Sequence, residues 1–96
     1  MKLSKLLSSC EYTVLQGSLD TDIVDVIYDS RKVTPGCAFV CLKGFNVDGH
    51  KFIPDALEKG AVALIVEDDV KAPQDVTVVK TENTRVALAN MSVEYF

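Results

Sequence analysis

Two six-residue apolar runs, Cys37–Leu42 and Ala61–Val66, flank a segment with helical character, and this spacing constrains the fold more than any other feature. Runs this short and this apolar read as strands buried on both faces. Between them, Phe52-Ile53-Pro54-Asp55-Ala56-Leu57-Glu58-Lys59 reads as a helix closed by Gly60 at the position after its C-cap. Proline is tolerated only in a first turn, so Pro54 places the helix start near Phe52 or Ile53. Strand, helix and strand within about thirty residues make a βαβ unit. Ala38–Leu42 and Ala63–Val66 are therefore expected to be parallel neighbours joined by a right-handed crossover.

The remaining elements are read from shorter signals. Tyr12–Leu15, Ile23–Tyr28 and Val76–Val79 are β-branched or aromatic and read as further strands. Thr34-Pro35-Gly36 has the chemistry of a type I or type II turn. Leu3, Leu6 and Leu7 suggest a short amphipathic helix at the edge of the domain. A last helix, capped by Asn83 or Thr84, carries Val86, Ala89, Met91, Val93 and Phe96. The expected class is α/β: a small mixed or mostly parallel sheet with one βαβ unit and flanking helices, spanning residues 1–96 as one domain. No stop signal follows Tyr95-Phe96, so the chain is expected to continue in a longer parent protein.

Composition excludes several function classes. Ten basic against fourteen acidic residues leave a net charge of -4 with no basic stripe, which argues against a duplex nucleic-acid binder. No apolar run exceeds six residues, far short of the roughly 20 a membrane-spanning helix requires. The opening Met1-Lys2-Leu3-Ser4-Lys5-Leu6-Leu7 lacks the apolar region and cleavage site of a secretory signal, so a cytosolic location is expected. Cys10, Cys37 and Cys41 are odd in number and lack paired metal-ligand spacing, which excludes a disulfide scaffold.

Several segments could carry chemistry. Gly44-Phe45-Asn46-Val47-Asp48-Gly49-His50-Lys51 has the glycine separation of a phosphate-binding P-loop, yet His50 and Lys51 stand where lysine and a hydroxyl residue are needed. A nucleotide-hydrolysing loop is rejected on that mismatch. A loop at the carboxyl end of a parallel strand nevertheless suits a ligand that is held and not cleaved. Asp29-Ser30-Arg31 also sits at a strand end: Arg31 could grip a phosphate pair, Ser30 could bond a base or phosphate, and Tyr28 or Phe45 could pack on a ring. The plainer reading of the triplet is a turn in which Asp29 caps the backbone and Arg31 pairs with an acid. His50 reads as a helix-entry residue without the partners of a general base. Cys37 and Cys41 face one way in a strand and read as core, and Glu67-Asp68-Asp69 reads as a solvated edge more than a cation site.

Taken in order, Tyr28-Asp29-Ser30-Arg31, Val33-x-Pro35-Gly36, Phe39-Val40-Cys41-Leu42-Lys43-Gly44, Asp48-Gly49-His50-Lys51-Phe52-Ile53 and Gly60-Ala61-Val62-Ala63 resemble the N-terminal domain of the Mur ligases. The set resembles those members that add the third peptide residue or the terminal D-alanyl-D-alanine. The Lys43-Gly44-Phe45 loop and the Leu-rich opening favour the former. The resemblance implies a three-domain cytosolic ligase of peptidoglycan synthesis whose first domain holds the UDP end of a UDP-MurNAc-peptide. It implies UDP contacts at Tyr28, Ser30, Phe45, Asn46 and Val47, with Arg31 as a phosphate contact. Phe45 and Val47 depart from the more polar residues usual there, which shifts the expected donors to backbone amides and Asn46. ATP and Mg²⁺ are implied for the central domain and not for this one, which by itself is expected to be inactive. Two other readings stay open: a free-standing nucleotide-sugar-binding module, and a small scaffold whose loops are turns alone.

Overall fold

The computed structural model describes residues 1–95. The elements in chain order are α1 (Leu3–Leu6), β1 (Thr13–Gln16), β2 (Val26–Ile27), β3 (Ala38–Val40), α2 (Ile53–Glu58), β4 (Ala63–Val66), β5 (Thr77–Lys80) and α3 (Thr84–Tyr95). Single turns of 3-10 helix follow β2 at Ser30–Lys32 and precede α2 at Gly49–Phe52. The five strands form one sheet in the order β1-β5-β4-β3-β2, with β1 antiparallel to β5 and the other pairs parallel. The expected pairing of the two apolar runs is present, with Ala38 opposite Ala63 and Val40 opposite Ile65.

Side chains alternate across the sheet, and each face has its own helices. Ala38, Val40, Ala63, Ile65 and Val79 point to the face covered by α1 and α3, where Leu3, Leu6, Ala87 and Met91 close the layer. Phe39, Leu64, Val66 and Val78 point to the other face, covered by Ile53 and Ala56 of α2. Burial on both sides explains why the runs are continuously apolar. Cys37 and Cys41 lie buried on the α2 side, as their spacing predicts. No helix among the described residues is long and apolar enough to cross a membrane.

The turns follow local chemistry. Gly36 has φ +91° and the Cys37 amide donates to the Thr34 carbonyl at 3.2 Å, which selects the type II alternative. Pro54 lies in the first turn of α2. Gly60 follows the C-cap at φ +100°, and a Cβ there would stand 2.7 Å from the Pro35 Cα.

Three expectations require correction. The strand expected over Ile23–Tyr28 narrows to Val26–Ile27. Upstream, the Ile23 amide donates to the Met1 carbonyl and the Val24 amide to the Gly36 carbonyl, while the Val26 amide turns to its neighbour's carboxylate at Asp25. At a sheet edge no second strand competes for these groups. Tyr28 accordingly lies outside β2 and exposed. Strands β1 and β5 each sit one residue later than expected. In α3 the N-cap is Asn83, whose Oδ1 accepts from the amides of Arg85 and Val86. Val86 and Val93 are exposed, and Ala87 with Met91 makes the buried stripe. The side chain of Tyr95 and all of Phe96 lie outside the described residues.

Candidate functional site

Strands β2 and β3 are parallel neighbours, so the segments leaving their carboxyl ends emerge side by side. Between them lies a cleft of about 510 Å³, within the usual range for a small-molecule site. Its apolar walls include Tyr28, Leu42, Val47 and Phe52. Its polar groups come from Asp29, Ser30, Arg31 and Arg85. A mainly apolar slot with few polar groups suits a heterocyclic ring carrying a charged tail.

Asp29 organises the β2 end. Its Oδ1 accepts from the Arg31 amide and Nε, both at 3.0 Å, and its Oδ2 accepts from Arg31 Nη2 at 2.8 Å. The Arg31 side-chain hydrogen bonds, then its backbone amide, pull the Asp29 carboxyl down to about 2. This is the plainer of the two readings of the triplet: a capped turn with a paired arginine. Arg31 remains 84% exposed, but its charge is already matched. Ser30 behaves differently. It is 7% exposed, its carbonyl accepts from Lys59 Nζ at 3.1 Å, and its hydroxyl finds no partner among the described residues although it borders the cleft.

The β3–α2 loop is a hairpin closed on itself. The Gly44 amide donates to the Val47 carbonyl and the Gly49 amide to the Leu42 carbonyl, both at 2.8 Å. The His50 amide donates to Asp48 Oδ1. These three amides are therefore spent within the loop itself. A Cβ on Gly49 would stand 2.8 Å from the Leu42 backbone nitrogen, which explains the glycine by close approach of two backbones. Within the loop, Val47 reaches the cleft, Phe45 is fully exposed over an adjacent groove with Lys43 and Arg85, and Asn46 is exposed at the tip. The structure thus gathers Tyr28, Ser30, Arg31 and Val47, and leaves Phe45 and Asn46 at the margin.

His50 does enter the helix, as expected, but it is also clamped, and its partners were not apparent in the sequence. Backbone amides of Glu67 and Asp68 lie 3.0 and 3.3 Å from Nε2. Amides can only donate, so Nε2 carries the lone pair and the proton sits on Nδ1, 2.6 Å from Asp48 Oδ1. Asp48, His50 and Asp68 come close enough together to suggest a metal. The ring, however, has no free lone pair at Nδ1 to give, so the trio does not fit a resident cation. The expected solvated edge at Glu67-Asp68-Asp69 is also engaged: Glu67 binds Thr84, Asp68 binds Lys43 and Asp69 binds Lys80. Burial, then the charges of Asp48 and Asp68, push the Cys41 thiol up to about 12, so it is no nucleophile.

Arg85 is the residue that sequence reading missed. Thr84 is fully buried, and its hydroxyl lies 2.8 Å from the Cys41 carbonyl and 2.9 Å from Glu67 Oε2. This pins the start of α3 over the end of β3 and brings Arg85 beside Gly44, 3.8 Å from where a Cβ would sit. Forty residues separate the two in sequence, and the only local signal was the Asn83 cap.

This geometry has known relatives. Residues 22–95 match the model described as the Mur ligase family, catalytic domain. The chain belongs to the Mur ligase family. It is 49% identical over all 96 residues to UDP-N-acetylmuramoyl-L-alanyl-D-glutamate--2,6-diaminopimelate ligase of Clostridium perfringens, covering 20% of that protein. The corresponding ligase of Clostridioides difficile is 46% identical over the same span, again with 20% covered. Among solved Mur ligases, a crystal structure of MurF from Acinetobacter baumannii superposes with a TM-score of 0.83 at 26% identity, over 97% of this chain and 20% of that one. MurF from Thermotoga maritima in complex with ADP gives a TM-score of 0.65 at 32% identity, over 78% and 17%. The chain spans about a fifth of the length of the curated Mur ligases it matches.

Proposed function

We propose that this chain is the first, UDP-binding domain of an ATP-dependent ligase that adds the third amino acid to UDP-MurNAc-L-Ala-D-Glu, in the cytoplasmic synthesis of peptidoglycan precursors. The names of the most similar curated relatives favour the third-residue ligase and diaminopimelate as the added amino acid. The MurF structures share the fold at lower identity, which keeps the D-alanyl-D-alanine-adding ligase as the second reading. ATP and Mg²⁺ are assigned to the rest of such a ligase, because His50 and Lys51 stand in the β3–α2 loop where a triphosphate-binding loop needs lysine and a hydroxyl residue. On this reading the chain alone binds and does not ligate.

The observation that carries the proposal is the unpartnered Ser30 hydroxyl in an apolar cleft at two adjacent strand ends. The hydroxyl opens on the cleft, so it is free to donate to or accept from a ligand there. Ser30 bonds the uracil edge or a phosphate, Tyr28 and Val47 border the ring, and the Phe45–Asn46 tip closes over the sugar. Isothermal titration with UDP-MurNAc-L-Ala-D-Glu tests this. Ser30→Ala is expected to weaken binding roughly tenfold, the worth of one or two hydrogen bonds. Asn46→Ala is expected to weaken it less, since that side chain stands outside the cleft. Unchanged affinity in both variants rejects the site.

A further inference from the structure

Resting on the nucleotide reading above, we infer that Arg85, and not Arg31, is the residue of this chain that binds the diphosphate of the UDP moiety. The inference starts from charge. Of the other cations that line the cleft and its adjoining groove, Arg31 is held in a two-pronged pair by Asp29 and Lys43 lies 2.8 Å from Asp68. Arg85 has no carboxylate partner among the described residues. In a chain of net charge -4, an arginine that borders a cleft and matches no acid is the group best suited to an anion.

The carboxylates that could have neutralised it are occupied. Glu67 accepts from the Thr84 amide and lies 2.9 Å from its hydroxyl, and Asp68 is held by Lys43. The first amides of α3 are satisfied as well, by Glu67 and by the Asn83 side chain, so the helix terminus itself offers no anion site. What remains is the guanidinium. It borders both the ring-sized cleft containing Ser30 and the adjoining groove beside Lys43 and Phe45. The Ser30 hydroxyl and the Arg85 guanidinium thus both face this cleft with no protein partner among the described residues. A base that engages Ser30 directs its diphosphate along the cleft toward Arg85, where two N–H groups can be given to adjacent phosphate oxygens.

Arg31 makes a poorer candidate on the same chemistry. To bind phosphate its guanidinium would bring the Asp29 carboxylate with it, or break its two side-chain hydrogen bonds to that residue. Gly44 supports the assignment to Arg85: a side chain there would meet the guanidinium at 3.8 Å and the Val47 carbonyl at 3.3 Å, narrowing the approach.

The test compares UDP with uridine by NMR chemical-shift titration of the 96-residue chain, in wild type, Arg85→Gln, Arg85→Lys and Arg31→Gln. Arg85 is exposed, and amide shift dispersion checks that each variant keeps the fold. Arg85→Gln is expected to weaken UDP about tenfold or more while leaving uridine within about twofold, since a charge-assisted bond is lost only where phosphate is present. Arg85→Lys is expected to recover part of the loss, and Arg31→Gln to change UDP by less than about twofold. Equal weakening of UDP and uridine by Arg85→Gln overturns the assignment, as does a selective loss of UDP affinity in Arg31→Gln alone. UDP binding that ignores Arg85 removes this inference and spares the nucleotide site. Failure of wild type to bind either ligand removes both.

Discussion

One carboxylate, Asp29, receives the amide, the Nε and an Nη of the residue two positions on, and this fixes both its own charge and that of Arg31. A carboxyl held at about 2 is lowered from its unfolded value near 3.9, so the turn gains stability above the latter that is lost as pH falls through about 2. Carbon-detected NMR titration of the Asp29 carboxyl is expected to show a midpoint near 2 in the wild type and a rise toward about 3.9 in Arg31→Gln. A midpoint near 3.9 in the wild type would contradict the pair. The Asp-Ser-Arg triplet announced this capped turn in sequence, because Asp two residues before an amide is a recognisable turn pattern. That Arg31 would spend its charge on its own neighbour was not legible, since any of the fourteen acids could have competed for it. His50 teaches the same lesson: its tautomer depends on amides seventeen and eighteen residues away.

At the scale of elements, Ala87 and Met91 seat α3 on the sheet and a buried threonine anchors its start. Thr84 joins the helix start to the Cys41 carbonyl of the strand exit and to Glu67. Thr84→Val keeps the shape and removes the hydroxyl, leaving a buried carbonyl without this donor. It is expected to lower stability by about 1–3 kcal/mol, seen as a lower urea midpoint at unchanged slope. A neutral result would show that the pin is not energetic. The βαβ unit was legible because its signals are local: apolar runs, Pro54 in a first turn, and Gly60 after the last. The length of β2 was not. Ile23-Val24-Asp25-Val26-Ile27-Tyr28 has strand composition throughout, but the Met1 and Gly36 carbonyls capture its first amides.

For the molecule as a whole, the sheet is buried on two faces by separate clusters, and Phe39 is the largest fully buried side chain in either. Phe39→Ala is expected to cost about 3–5 kcal/mol in urea unfolding, a large share of the roughly 5–15 kcal/mol total expected of a domain this size. A cost below about 1 kcal/mol would mean that the α2 face does not behave as a packed core. Local sequence was enough for the α/β class, the parallel pairing at the centre of the sheet, the ordered motifs of the Mur ligase family, and the two loops that meet at the cleft. Each of these rests on residues adjacent in the chain, where periodicity, turn chemistry and motif spacing act. Tertiary structure alone decided which charges are spent and which are left over: Arg31 matched by Asp29, Lys43 by Asp68, and Arg85 carried to the cleft unmatched. Charge pairing depends on distance in space, and only folding brings residue 85 beside residue 44.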